Sequence, residues 1–154
     1  MKRLLTSVLI LILLFFPQFT FGSDLDEFKA VVETFTQAFN SMDADVIAQM
    51  THPGLVVSEA DDPFPNVYPN PDEFKEILQN WFSTVDSVKF ININPQYKIV
   101  GNTGIFWCIL ESRIKQKGSS LNTGYERQTM TFVKSDGKWR VLMYHHSKFP
   151  IDQL

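Results

Sequence analysis

The chain has 154 residues, a length that suits one domain with a sizeable core. Its 14 lysines and arginines against 17 acids give a formal net charge of −3, which argues against nucleic acid and anionic membrane surfaces as partners. The single cysteine, Cys108, lies in an apolar run and has no partner within the chain. The sequence therefore predicts a buried, inert thiol and excludes an internal disulfide.

The N-terminus predicts a signal peptide over residues 1–22. A basic start precedes the apolar run Leu4–Phe16, and small residues at Thr20 and Gly22 suit a signal peptidase. The run is shorter than the ~20 apolar residues that a membrane span needs, so cleavage after Gly22 is favoured over a retained anchor. The leader holds two basic residues and no acid, so its removal moves the net charge from −3 to −5. The expected product is residues 23–154, a single periplasmic or secreted domain without membrane attachment.

Helices are predicted first along the chain. Apolar residues recur every three or four positions over Asp26–Met42, which indicates an amphipathic helix. A second, short helix is predicted from Asp43 or Ala44 to about Met50. Leu55–Ser58 has the pattern of a short strand, and the proline-rich stretch Glu59–Pro71 has that of a loop. A third helix is predicted to begin at Pro71, where a proline and two acids favour a helix N-terminus.

Strands are predicted for the rest of the chain, with short turns between them. The predicted strands are Val88–Asn94, Gln96–Val100, Gly104–Lys115, Asn122–Lys134 and Lys138–Ser147. Consecutive strands joined by short turns pair in an antiparallel way. Three helices followed by such strands must cover one face of a curved sheet, so the predicted fold class is α+β.

The most specific motif lies in the last predicted hairpin. Arg127 and Thr129 stand on one strand, and Asp136-Gly137-Lys138-Trp139 leads to His145 and Ser147 on the next. This pattern resembles the end of SnoaL-like domains in the nuclear transport factor 2-like superfamily. The resemblance covers the whole mature chain and implies a cone-shaped α+β fold. It leaves activity open, because the superfamily includes isomerases, dehydratases, cyclases, hydrolases, ligand binders and assembly domains.

The same motif is also similar to the association domain of calcium/calmodulin-dependent kinases, which is a non-catalytic oligomerisation hub with a polar pocket. The present chain has Met130 where that relative's strand carries an arginine, which argues against a carboxylate-binding pocket of the kinase type. It also lacks the tyrosine and paired aspartates of ketosteroid isomerases, which argues against a proton-shuttling isomerase.

Strand pairing suggests a candidate site in these hairpins. If the hairpin around Gly118 turns at Ser119, Glu111 lies opposite Arg127 and the two form an ion pair. A three-residue loop, Ser135 to Gly137, then sets Arg127 beside His145, whereas a two-residue loop sets it beside His146. The three-residue loop is preferred because it puts an apolar wall and a polar end on one face inside the cone. With Glu111 and Arg127, that face holds Trp139, Val141, Met143, His145 and Ser147.

The residues of this face have both functional and structural interpretations. His145 and Arg127 are the candidate catalytic residues, and the candidate ligand-binding residues are Glu111, Trp107, Tyr125 and Ser147. An ion pair can instead fix strand register, and His145 can be a hydrogen-bonded edge of the core. If Arg127 and His145 lay on opposite faces, the pocket would instead contain Ser112, Gln128 and His145.

Neither a metal nor a cofactor is expected. His145 and His146 are adjacent in a strand, so they point to opposite faces and cannot ligate one metal ion together. The sequence contains no glycine-rich phosphate loop and no Gly-x-Ser-x-Gly motif, which argues against nucleotide cofactors and serine-hydrolase chemistry.

Three functions are compatible with these observations. The preferred one is an exported domain that binds a small apolar or amphipathic molecule in the cone and forms a homodimer. The second is a lyase or isomerase in which His145 acts as general base and Arg127 stabilises negative charge. The third is a non-catalytic assembly module. The residues expected on the outer sheet face, where a second copy would bind, are Met130, Phe132, Leu142 and Tyr144.

Overall fold

The computed structural model describes residues 23–60 and 64–149. The predicted signal peptide, residues 1–22, lies outside the described residues. The helices are α1 (Asp24–Asn40), α2 (Ala44–Gln49) and α3 (Pro71–Thr84). The strands are β1 (Thr51–Ser58), β2 (Asn66–Tyr68), β3 (Val85–Val100), β4 (Thr103–Gln116), β5 (Leu121–Ser135) and β6 (Lys138–Lys148). Within residues 23–60 and 64–149, no helix has the length and apolar character needed to cross a membrane.

Side-chain caps begin all three helices. The hydroxyl of Ser23 accepts the Asp26 N–H at 3.2 Å at the start of α1, and the Asp43 carboxylate accepts the Val46 N–H at 3.0 Å in α2. In α3 the cap is Asn70, whose side-chain oxygen accepts the Asp72 N–H at 3.0 Å. Each cap satisfies a backbone donor that the helix itself leaves without a partner. The third helix therefore begins at Pro71, as the sequence predicts.

All six strands form one sheet in the order β2-β1-β6-β5-β4-β3. Neighbouring strands are antiparallel except for β1 and β6, which are parallel. The predicted class, α+β with three helices and a mostly antiparallel sheet, is confirmed. Strand β2 lies in the stretch predicted as loop, where it pairs with β1 through Val56 and Val67. The two strands predicted on either side of Asn94 are one strand, β3, whose register shifts between Ile93 and Gln96.

Helix α1 covers one face of the sheet, here called the inner face. Phe28 of α1 is fully buried and packs edge-on against Phe132 of β5, with ring centroids 5.3 Å apart. Gly104 of β4 makes this approach possible, because a Cβ there would lie 2.7 Å from the Phe28 ring. On β4 and β5 the buried residues of the inner face stand at even-numbered positions; they are Gly104, Phe106, Cys108, Leu110, Gln128, Met130 and Phe132.

A tight turn and a β-bulge in the β5–β6 hairpin determine which residues of β6 lie on the inner face. Asp136 and Gly137 both have positive φ, 52° and 71°, and form a two-residue turn with Ser135 opposite Lys138. The predicted three-residue loop is therefore wrong. Further along, Phe132 pairs with Val141 while Thr131 pairs with Met143, so Leu142 is an extra residue, a β-bulge.

The bulge reverses the alternation of β6. Trp139 and Val141 are buried before it, and Tyr144 and His146 are buried after it. The predicted single face that holds Trp139, Val141, Met143, His145 and Ser147 is therefore wrong. The predicted outer face is wrong for three of its four residues as well, because Met130, Phe132 and Tyr144 belong to the core at 1%, 0% and 6% exposure.

Candidate functional site

A cavity of about 420 Å³ lies between α3, the β1–β2 pair and the inner face of the sheet. Helix α3 supplies part of the lining, and Phe90 of β3 and Tyr144 of β6 supply part of it from the sheet. The apolar and aromatic lining consists of Phe39, Val57, Tyr68, Phe74, Ile77, Leu78, Trp81, Phe90, Ile114 and Tyr144. The size and the apolar lining are those of a small-molecule site.

One end of this cavity is polar and is built around His146. The side chain is buried, at 5% exposure, although imidazole is usually found at least partly in water. Its Nδ1 lies 2.9 Å from Oε2 of Glu126 and 3.7 Å from Oε2 of Glu59, and both carboxylates line the cavity. Its Nε2 lies 3.0 Å from Nε2 of Gln128, the residue directly opposite on β5.

These contacts fix the hydrogen-bonding state of the ring. The Gln128 amide nitrogen can only donate, so Nε2 of His146 accepts. A neutral imidazole that accepts at Nε2 carries its proton at Nδ1, which donates to Glu126. The other end of the Gln128 amide agrees with this orientation, because its Oε1, an acceptor, lies 3.4 Å from the Cys108 thiol. The Cys108 thiol also lies 3.5 Å from Oδ1 of Asn92, an alternative acceptor.

Burial keeps two further groups of this region protonated. Cys108 is 7% exposed, and burial raises the pKa of its thiol to about 12. Both observations agree with the buried, inert thiol that the sequence predicts. Burial also raises the pKa of the Tyr144 hydroxyl well above its ordinary value, and the negative charge of Glu59 adds to the effect. Both groups therefore act as neutral hydrogen-bonding partners at neutral pH, and Tyr144 bonds the Gln128 side chain.

The register of the β4–β5 hairpin differs from the predicted one. Glu111 lies opposite Tyr125, and Ile109 lies opposite Arg127. The turn centres on Gly118, which has a φ of 76°, rather than on Ser119. The predicted Glu111–Arg127 ion pair is therefore wrong: Glu111 instead accepts from Nε of Arg113 on its own strand, at 2.5 Å.

The six predicted site residues share the outer face, which is the face away from α1. They are Trp107, Glu111, Tyr125, Arg127, His145 and Ser147. Arg127 and His145 do stand on the same face, because the two-residue turn and the bulge together give the same parity as the three-residue loop. Their predicted location inside the cone is wrong, since α1 packs on the opposite face. Arg127 places its guanidinium 5.0 Å from the centre of the Phe149 ring.

The sequence did not point to Glu59, Glu126 or His146 as residues of the site. The alternative pocket, predicted for the case in which Arg127 and His145 lie on opposite faces, did contain two residues of this region. They are Ser112, which lines the cavity, and Gln128, which bonds His146. A two-residue turn at Asp136-Gly137 alone would set His146 beside Arg127 on the outer face, and only the bulge at Leu142 brings it to the inner face opposite Gln128. Among residues 23–60 and 64–149, no group of three or more His, Cys, Asp or Glu side chains could hold a metal ion.

A family comparison agrees with this architecture. The model of the SnoaL-like domain matches residues 28–152, which is most of the chain. The chain belongs to the SnoaL-like domain family. The resemblance to SnoaL-like domains noted in the sequence is thereby confirmed, and the chain shares the fold of a nuclear transport factor 2-like superfamily protein from Salmonella enterica that is 11% identical, with a TM-score of 0.70. No curated protein matches this SnoaL-like chain by sequence.

Several solved structures share the fold. A candidate dehydratase of the nuclear transport factor 2-like family from Streptomyces avermitilis is 13% identical, with a TM-score of 0.72 over 83% of this chain and 97% of that one. A candidate scytalone dehydratase from Novosphingobium aromaticivorans is 14% identical, with a TM-score of 0.70 over 80% and 82%.

A third structure bears on the second resemblance found in the sequence. A candidate calcium/calmodulin-dependent protein kinase II association domain from Xanthomonas campestris is 15% identical, with a TM-score of 0.68 over 81% of this chain and 87% of that one. At such identities the three structures share the fold with this SnoaL-like chain, and function has to be argued from the site.

Proposed function

We propose that this SnoaL-like domain binds a small, mostly apolar molecule in the cavity beneath α3. The observation that carries the proposal is the cavity itself, about 420 Å³ with largely apolar walls and one polar end at His146. Apolar walls contribute affinity by removing ligand surface from water, and a few placed polar groups fix the ligand's orientation. The ligand-contact role, first assigned to residues of the outer face, moves to the lining of this cavity.

A lyase or isomerase is the second candidate, and one contact favours it. Glu126 holds Nδ1 of His146 at 2.9 Å, as a carboxylate does when it orients a histidine base. Two of the solved structures above are candidate dehydratases. However, the amide of Gln128 occupies Nε2, the nitrogen that would take a proton from substrate. Catalysis would require Gln128 to turn away, so the geometry supports binding better than turnover. For catalysis, His146 replaces His145 as the candidate base.

We further propose that the domain is exported and works as a homodimer, with an assembly module as the remaining alternative. The N-terminal pattern supports export. Trp107 and Met143 support a dimer, because they are 42% and 37% exposed on the outer sheet face.

The binding proposal is tested by filling the cavity from its exposed edge. Ile77 lines the cavity and is 46% exposed, so Ile77→Trp adds bulk there with little damage to the core. Titration calorimetry with 1-naphthylmethanol, a neutral aromatic probe, should show binding to the wild type and a loss of affinity of about tenfold or more in the variant.

Glu76→Trp is the matched control, because Glu76 is an exposed residue of the same helix outside the lining. It should bind the probe like the wild type. Equal affinity in the wild type and Ile77→Trp would contradict a site in this cavity. Consumption of any screened compound by the wild type, abolished in His146→Ala, would favour the enzyme instead.

A further inference from the structure

Three donor side chains in or beside the polar end of the cavity bond within the protein. The Gln128 amide donates to His146, and Nδ1 of His146 donates to Glu126. The hydroxyl of Ser112, which also lines the cavity, lies 3.4 Å from the Gly124 carbonyl and donates to it. A neutral His146 in this arrangement has no proton left to offer a ligand. The protons of these three side chains are therefore used within the protein, and the carboxylates of Glu59 and Glu126 at the same end offer only acceptors.

The same end carries negative charge. Glu126 and Glu59 both line the cavity, and each places a carboxylate oxygen within 3.7 Å of His146. Their side chains are 30% and 51% exposed, so Glu126 in particular is partly removed from water, where its charge acts more strongly. None of the lining residues that belong to the described ranges 23–60 and 64–149 is a lysine or an arginine. Lys148 lies opposite Glu126 on β6, but it is exposed and outside the lining.

We infer that the ligand of this cavity is an amphipathic amine, which places a cationic ammonium group beside Glu126 and its apolar body against the aromatic walls. This inference rests on the proposed function and adds the charge of the ligand. An ammonium ion brings donors and a positive charge to two carboxylates, which offer only acceptors. A carboxylate or phosphate ligand would meet two like charges and no free donor from His146, Gln128 or Ser112. The apolar walls, with Trp81, Phe74 and Phe90, suit a body that is aromatic or aliphatic.

Three probes of nearly the same shape test the charge. Calorimetric titration of the purified protein at neutral pH compares 1-naphthylmethylamine, which is cationic, 1-naphthylmethanol, which is neutral, and 1-naphthoate, which is anionic. We expect the amine to bind about tenfold more tightly than the alcohol, and the naphthoate to bind most weakly. The preference for the amine should shrink as salt is added, because ions screen charges that are partly exposed.

Two variants connect the preference to the named carboxylates. Glu126→Gln retains an acceptor for His146 and should reduce the amine-to-alcohol ratio to about threefold or less. Glu59→Gln removes the more exposed charge, with less risk to folding, and should lower the ratio in the same direction. Glu76→Gln, which removes an equal charge outside the cavity, should leave the ratio unchanged.

The possible outcomes separate this inference from the proposed function. Equal affinity for the amine and the alcohol would overturn the charge assignment and leave the apolar binding site standing. Preferential binding of naphthoate would overturn it too. If none of the three probes binds, both the site and its charge preference are wrong.

Discussion

At the scale of single residues, Gln128 determines how His146 is hydrogen-bonded. It is 4% exposed, and its side chain contacts His146 on one strand and Cys108 on another. An amide offers a donor and an acceptor from one planar group, so Gln128 can satisfy both neighbours at once. A carboxylate at this position would present only acceptors and would force the proton of His146 to Nε2. The identity of this one residue therefore sets what His146 presents to the cavity.

Replacing Gln128 with leucine should lower the free energy of unfolding by about 1–3 kcal/mol, because it leaves the buried Nε2 of His146 without a partner. Urea denaturation of the two proteins measures the difference. Gln96→Leu is the control, since Gln96 is exposed on β3, and its effect should stay within about 0.5 kcal/mol. A Gln128→Leu protein as stable as the wild type would show that His146 is not held by this contact.

At the scale of elements, the sequence predicts the helices and the order of strands well, because their signals are local. Caps, apolar spacing and turn residues mark where each element begins and ends. Strand β2 was not predicted, since its three residues are exposed or half-buried and lie between prolines. Its pairing with β1 comes from tertiary structure rather than from a local preference.

The sequence does not determine which face of the sheet the helices cover. On β4 the inner residues Phe106, Cys108 and Leu110 alternate with Ile105, Trp107 and Ile109 on the outer face. Both sets are apolar, so alternation along this strand does not say which set the helices cover. A bulge adds a second obstacle, because one extra residue at Leu142 exchanges the faces without any glycine or proline to mark it. Because of these two features, the residues that line the cavity could not be predicted from the sequence, although the fold could.

Helix α3 offers an element-scale prediction, since it forms a wall of the cavity. Asn70→Ala removes the oxygen that accepts the Asp72 N–H and should cost about 1 kcal/mol of stability. Asn80→Ala makes the same chemical change inside α3 at an exposed position, where alanine is the better helix former, so it should be neutral or slightly stabilising. Thermal denaturation compares the two variants. Equal melting temperatures would mean that the Asn70 cap does not contribute to stability.

At the scale of the whole molecule, the two faces of the sheet have different environments. The inner face is covered by α1 and encloses the cavity with α3. The outer face carries exposed Trp107 and Met143 beside charged groups of both signs, such as Glu111, Arg113 and Arg127. Exposed apolar residues of this kind suit a contact with a second copy, and in a two-fold contact a residue of one copy that meets a charge of opposite sign on the other does so twice.

Export is the first prediction at this scale. Secretion with cleavage after Gly22 should give a mature protein that begins at Ser23. In the structure Ser23 is the residue that caps α1, so cleavage at this point keeps the cap of the first helix. Intact-mass measurement of protein recovered from the periplasm or the medium decides the matter. Recovered protein that retains residues 1–22 would contradict the processing.

The second prediction concerns the dimer. If the outer face joins two copies, light scattering at micromolar concentration should give about twice the mass of one mature chain. Trp107→Lys should then give a monomer, because a lysine buried in that contact loses its hydration. Val67→Lys is the control: Val67 is 61% exposed on the edge strand β2, at the side of the sheet away from β4. It should leave the mass unchanged. A wild-type protein that is monomeric would leave Trp107 as an exposed side chain without a partner and would remove the dimer from the proposal, while the cavity and its test would stand.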